Sequence, residues 1–358
     1  MKPSTDSLRA WIDIDLSALV RNGARLAQHA GVPLLPMVKA DAYGLGVGPV
    51  VRALEAVTPF GYGVATADEG RELRGVGVTR PVLVFTPVLP LDFALLRAAQ
   101  LTPTFGDAER ISAWIASGGG DWHLAIDTGM MRAGLRWNRM AEVAELVRTA
   151  PPTGAFTHFH SSETDNGSLE LQEGRFRDAV SALPARPPLL HTENSGAIVR
   201  RSPSAWNLVR PGVFLYGVGS GPRAAFQPEP VAHLRARIVD LHDLNAGDTV
   251  SYGGSWTATK PTRLATVNVG YADGYRRSLG NSGTALLRGT RVPVAGTVTM
   301  DMTMLDVTGI ACAHGDVVTL IGRDGDALVT AEAVGAACGL SPYEVLTGLR
   351  QRLPRVSA

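Results

Sequence analysis

Cysteine is nearly absent: Cys312 and Cys338 are the only two among 358 residues. They cannot build a disulfide framework, and two spare thiols fit a reducing, cytoplasmic setting. Excess charge of either sign is missing too, since 34 Lys+Arg against 33 Asp+Glu leave a formal net charge of +1. Without a net field the chain is not expected to bind nucleic acid, anionic lipid or another polyanion. Long apolar runs are also missing. The longest, residues 81–96, is broken by Thr86, Pro87, Pro90 and Asp92, so no membrane span is expected. Residues 1–9 are polar and lack the apolar stretch of a signal peptide. What is there is the balance of a packed globular protein, 45% hydrophobic and 19% charged, which argues against disorder. The length suits one large domain plus a small one.

Periodicity divides the chain in two. After a short alternating segment at residues 11–15, apolar Leu16, Leu19, Val20, Leu26 and Ala27 have helical spacing. Strand-like runs then return at residues 33–38, 60–64, 81–85, 101–105, 122–126, 155–159, 188–191 and 208–215. Helical stretches at 50–55, 68–74, 108–116, 140–148 and 172–183 fill most of the gaps. Eight alternating units predict an α/β fold, a (βα)8 TIM-type barrel over residues 1–232. Beyond it, tight polar turns such as Asn245-Ala246-Gly247-Asp248 separate strand runs. These predict a smaller, mainly antiparallel β domain over residues 233–358, with which the first residues of the chain can pair. Few helices fit there. One is expected at Ser341-Pro342-Tyr343-Glu344, which has capping-box spacing with proline at the first helical position.

In such a barrel, functional groups follow the strand ends. Lys39 follows the first run, Arg132 the fifth, His158 and His160 the sixth, and His191, Asn194 and Ser195 the seventh, while Arg210 lies in the eighth. A lone lysine at a strand end usually extends its amine to solvent. Partly desolvated, it has a lowered pKa and is a candidate Schiff-base nucleophile. Tyr43 in a glycine-rich loop, Asn194-Ser195-Gly196 and Pro211-Gly212-Val213 offer hydroxyls and backbone N–H groups to a phosphate. Together these point to pyridoxal phosphate.

Further stretches fall in order along the chain. They are Asp127-Thr128-Gly129-Met130-Met131-Arg132, Thr157-His158-Phe159, His191-Thr192-Glu193-Asn194-Ser195 and Val209-Arg210-Pro211-Gly212, then Val250-Ser251-Tyr252-Gly253, Gly270-Tyr271-Ala272-Asp273-Gly274, Met300-Asp301 and Tyr343-Glu344. With Val38-Lys39-Ala40-Asp41-Ala42-Tyr43-Gly44, the chain resembles alanine racemase, the barrel-type pyridoxal-phosphate amino-acid racemase family. The resemblance implies that Lys39 carries the cofactor, pyridoxal 5'-phosphate, and acts as base on one face of the substrate Cα. Tyr252 would serve the other face. It further implies that Tyr43, Ser195, Tyr343 and the Gly212 and Val213 backbone hold the phosphate, and that Arg210 bonds the pyridine nitrogen with His158 nearby. Arg132 would meet the substrate carboxylate or the phenolic oxygen, and Tyr271 and Met300 would line the entrance. A head-to-tail homodimer with composite sites is implied as well, with a small amino acid as substrate and no metal.

The set has a physical logic of its own. Inverting a stereocentre through a planar carbanion needs proton removal on one face and delivery on the other. A guanidinium beside the pyridine nitrogen cannot surrender a proton, which weakens the electron sink and discourages decarboxylation or transamination. Two positions depart from the family. Ala125 stands where many relatives carry a carbamylated lysine that orients the arginine matching Arg132, and His160 and Ser161 replace smaller residues, so a broader amino-acid range is the alternative to alanine. Two rivals follow from single residues. A barrel decarboxylase would want an acid at position 210, and a metal-dependent hydrolase would use His158, His160, His191 and Asp127 as ligands. A cofactor carrier without turnover would need neither Tyr252 nor a second domain.

Overall fold

The barrel begins on prolines. In the computed structural model, which describes residues 5–357, six short strands lie parallel in chain order: Tyr62–Val64, Val82–Val84, Thr102–Phe105, His123–Asp127, Gly154–Phe156 and Leu189–His191. Residues 33–38 and 208–211 close the ring through isolated bridges, Leu34 to Val209, Met37 to Gly63 and Asn194 to Arg210. Backbone hydrogen bonds reinforce the closure, from Leu35 N–H to Val209 C=O at 2.7 Å and from Met37 N–H to Pro211 C=O at 2.8 Å. Pro33, Pro36 and Pro211 supply no N–H, so a continuous ladder cannot form there. The expected run at 208–215 therefore stops pairing at Pro211, and Val213–Tyr216 winds into a single 3-10 turn.

Helices cover the outside. Leu16–Ala30 starts at Asp15, whose carboxylate accepts from Ala18 N–H, and ends at Gly31 in the left-handed region with φ of 68°. It buries Leu19, Leu26 and Ala30, and each such leucine contributes roughly 2 kcal/mol. Val47–Leu54, Ala67–Gly75, Ala108–Ala116 and Ser168–Ser181 match the expected helical stretches within a few residues. The apolar run at 81–96 holds a helix, Phe93–Ala98, that the sequence pattern did not mark, and the expected helical stretch at 140–148 is a 3-10 turn, Met140–Val143, followed by the short helix Ala144–Thr149.

The second unit is built on the 13-residue strand Ala232–Leu244. It pairs antiparallel with Thr262–Val267 and Val317–Asp324, and with Ala10–Ile14 from the start of the chain. Arg355–Ser357 runs parallel to that first strand. The capped helix Pro342–Thr347 forms as expected, with both capping-box bonds between Ser341 and Glu344. A second helix, Ala331–Cys338, departs from the sequence pattern; Thr330 caps it by accepting from Ala333 N–H. The Pro342–Thr347 helix lies against the barrel mouth. A Cβ on Gly44 would come within 2.9 Å of the Leu346 carbonyl oxygen, and this contact brings Tyr343 over the cavity.

Candidate active site

Lys39 sits at the start of a left-handed turn. Ala40, Asp41, Ala42 and Tyr43 have φ of 54, 53, 52 and 58°, a conformation that costs about 1–2 kcal/mol per residue. Local bonds sustain it: Glu69 accepts from Ala40 N–H at 2.7 Å, and Asp41 accepts from Val47 N–H at 2.7 Å. Glu69 also closes the capping box of Ala67–Gly75, so one helix cap anchors the turn. The result is that Lys39 and Tyr43 both line one cavity of about 860 Å³ at the barrel mouth. Burial holds the Lys39 amine below its usual range, helped by the Arg132 charge and opposed by Glu69.

The phosphate-type cradle lies opposite. Ser195 Oγ accepts from Gly212 N–H at 2.9 Å and from Phe214 N–H at 3.4 Å. The Tyr43 ring stacks on Tyr216 with centroids 4.6 Å apart. A Cβ at Gly212 would approach the Tyr43 hydroxyl to 2.6 Å, so this glycine keeps the space open. Val213 and Tyr343 line the same wall, and burial pushes the Tyr343 hydroxyl up to about 12.

Arg210 forms the floor. It is buried, and it donates to His191 Nδ1 at 2.9 Å and to the carbonyls of His191, Thr157 and Thr192 at 2.5, 2.7 and 3.1 Å. Every direct acceptor is neutral. Burial brings the guanidinium down to about 9, with Glu193 opposing, below the expected range but still cationic at neutral pH. Because Arg210 donates to Nδ1, His191 carries its proton on Nε2 and passes a 2.9 Å bond to His123 Nδ1. Both imidazoles are held neutral by burial and by the Arg210 charge, His123 at about 3. His158 is likewise pushed down to about 3 by burial, then by Arg210, Arg132 and Lys39.

Arg132 stands exposed at the rim, and among the described residues nothing bonds or pairs with its guanidinium. Ala125 lines the cavity beside it and offers only a methyl group. Asp127 shapes the intervening loop, accepting from Gly129 and Met131 N–H at 3.0 Å each and pairing with Arg136.

Tyr252, Tyr271 and Met300 do not join this cavity within the chain. They lie on the second unit, 73, 37 and 52% exposed, and hydrogen bonds to backbone carbonyls link their loops. Thr297 donates to the Tyr252 carbonyl at 3.3 Å, and Ala272 N–H donates to the Met300 carbonyl at 3.0 Å. Nine of the twelve expected residues are therefore brought together, and three form a separate exposed face. Sequence reasoning missed His123 and Tyr216. His123, Ala125 and Asp127 share the parity of one strand face, which is the signal that could have exposed His123. The metal reading loses His191, because both its ring nitrogens are engaged, and no metal-competent cluster of three or more ligands occurs among the described residues.

The cavity fits pyridoxal phosphate: an amine at one end, a cradle a Cβ would fill at the other, and a buried donor beneath. Models of the alanine racemase N-terminal and C-terminal domains match residues 14–220 and 231–357. The alanine racemase of Geobacter sp. is 38% identical over 98% of both chains. The chain belongs to the alanine racemase family. The alanine racemase of Nostoc sp. is 34% identical over 98% of this chain and 96% of its own. The crystal structure of alanine racemase from E. faecalis superposes with a TM-score of 0.91 at 30% identity, covering 98% of each chain. That from Bartonella henselae, with covalently bound pyridoxal phosphate, gives 0.90 at 27% identity, covering 98% of this chain and 99% of its own. Membership makes the chain an isomerase of amino acids.

Proposed function

We propose that the chain is a pyridoxal-phosphate-dependent racemase interconverting L- and D-alanine with two bases, Lys39 of one protomer and Tyr252 of its partner. The observation that carries this reading is the pairing, in one cavity, of a half-buried Lys39 amine with a buried Arg210 whose bonded partners are all neutral. Pyridoxal phosphate, when bound, supplies an aldehyde for an amine to capture and a ring that acidifies the substrate Cα–H bond. Tyr43, Ser195 and Tyr343, with the N–H groups of Gly212 and Val213, hold the phosphate. Arg210 donates to the pyridine nitrogen and His158 packs beside it. Arg132, without a bonded partner among the described residues, receives the substrate carboxylate. Lys39 Nζ takes or returns a proton on one face of Cα, and the Tyr252 hydroxyl does so on the other.

The exposed Tyr252, Tyr271 and Met300 support a head-to-tail homodimer, in which they would be covered by a second copy and complete its site. The boundary between the two units is proposed at 232/233, with the first strand assigned to the second unit. The two free cysteines support a cytoplasmic location, and no helix among the described residues is long and apolar enough to cross a membrane. His160, hydrogen-bonded to Ser161 at 2.7 Å on the rim, favours a second reading with a wider amino-acid range. Incubation of the holoprotein with single L-amino acids, followed by chiral chromatography, tests both. D-alanine is expected as the fastest-formed product, and no D-enantiomer from any substrate overturns the proposal.

A further inference from the structure

Behind the barrel wall that carries Arg210 lie two buried carboxylates, Glu173 and Glu193. Glu173 is satisfied: it accepts from Trp206 Nε1 at 2.8 Å and from Thr192 Oγ1 at 3.2 Å. It also pairs with Arg177 at 3.2 Å and Arg201 at 3.6 Å. Glu193 is not. Ser204 Oγ donates to its Oε2, while its Oε1 is buried with no hydrogen-bond partner. A buried carboxylate oxygen without a donor is costly unless cations lie nearby; Arg201 is one, but it is shared with Glu170 and Glu173. Among the described residues, the buried cation without a bonded anion is Arg210. The two residues are neighbours across the sheet, Arg210 N–H donating to the Glu193 carbonyl at 2.9 Å.

We propose that Glu193 is a positioning residue for the racemase reaction, its buried carboxylate being the counter-charge that keeps the Arg210 guanidinium ionised beneath the cofactor ring. The role of that guanidinium at the pyridine nitrogen rests on the function proposed above. Phe85 and Phe156 offer ring faces to the guanidinium, with centroids 5.8 and 5.3 Å away, but the other ionisable groups around it carry no negative charge. His191, His123 and His158 face it from three strand ends as neutral rings, and Lys39 and Arg132 across the cavity are basic. On its own side Glu193 meets Ser204, the Ala205 amide, Arg201 and the like-charged Glu173. Burial raises the proton affinity of Glu193, with Ser204, Ala205 and Arg201 opposing the rise, and a carboxylate that sustains the Arg210 charge is by linkage sustained by it in turn.

The test titrates the holoenzyme labelled with 13C at arginine Cζ, with the Arg210 resonance assigned by its loss in Arg210→Lys. In Glu193→Gln its midpoint should fall by at least about half a pH unit, a proton affinity roughly threefold weaker, and in Glu193→Asp it should stay near that of the unaltered protein. An unmoved midpoint in folded Glu193→Gln overturns the proposal, as does an equal fall in Glu193→Asp. Should Glu193→Gln not fold, the Arg210→Gln holoprotein is measured by infrared spectroscopy. A protonated-carboxyl band absent from the unaltered protein should appear near neutral pH and shift in frequency when Glu193→Asp is added; its failure to appear overturns the proposal. Both readouts register charge rather than turnover, so even a protein that does not racemise alanine would show whether this pair is coupled.

Discussion

On the proposed function, a single amine decides how this cavity captures its cofactor. Lys39 is the residue whose pKa burial and Arg132 both lower, so a larger share of it is the neutral nucleophile at physiological pH. In Lys39→Ala the visible absorbance of the bound cofactor should disappear from purified protein, because phosphate contacts alone form no imine. A variant that stays yellow, with cofactor held as tightly as before, removes Lys39 from this role. Residue identity explains the contrast at Arg132 as well. Ala125 lines the cavity with Arg132, and a methyl group cannot orient a guanidinium. Lys39, Arg132 and the strand-end histidines were all legible in the sequence, because they follow apolar runs. His123 was not, because it opens its strand instead of following it, and only its shared parity with Ala125 and Asp127 marks the face it takes.

At the scale of elements, turns place the chemistry. Gly212 breaks the eighth stretch after Pro211 and turns its N–H toward Ser195. Gly212→Ala should weaken cofactor binding about tenfold, since the added Cβ meets a Tyr43 ring pinned by Tyr216 and cannot be accommodated cheaply. Titration of the apoprotein with pyridoxal phosphate measures it. In the Tyr43→Phe background, where the clashing hydroxyl is gone, the same substitution should cost much less. Equal losses in both backgrounds would show that the clash is not the cause. The capped helix Pro342–Thr347 was legible because capping is local. The helix Ala331–Cys338 and the barrel closure were not: the first has a weak amphipathic pattern in AEAVGAAC, and the second depends on bridges between residues 175 positions apart, as in Leu34 to Val209.

For the whole molecule, buried histidines set the response to acid. His123 and His158 lie near 3 when folded and near 6.5 when unfolded. Between these values the unfolded chain binds more protons, so stability falls as pH drops below about 6.5 and the loss saturates near 3. By pH 5 each histidine should cost about 2 kcal/mol. The urea midpoint of the apoprotein should therefore drop sharply between pH 7 and pH 5, and a flat midpoint over that range would contradict neutral burial. Assembly makes a separate prediction. Tyr252→Phe alone should keep the cofactor and lose at least about a hundredfold in racemisation. Mixing it with Lys39→Ala under subunit exchange should restore about a quarter of normal activity, because half of the dimers are mixed and each holds one intact composite site. No recovery on mixing would place both bases within one chain.

Local pattern determined a good deal by itself: the alternation of strand and helix, the later change to a mainly β unit, and the placing of Lys39, His158 and Ser195 after successive apolar runs. These follow from side-chain periodicity, which acts between near neighbours. Tertiary structure alone decided that the ring closes over three prolines, that His123 and His191 join Arg210 beneath the cavity, and that Tyr252 stands on another face from Lys39. Such facts depend on the distance between segments far apart in the chain, set by how sheets twist and pack, and no spacing of residues along a sequence records that distance.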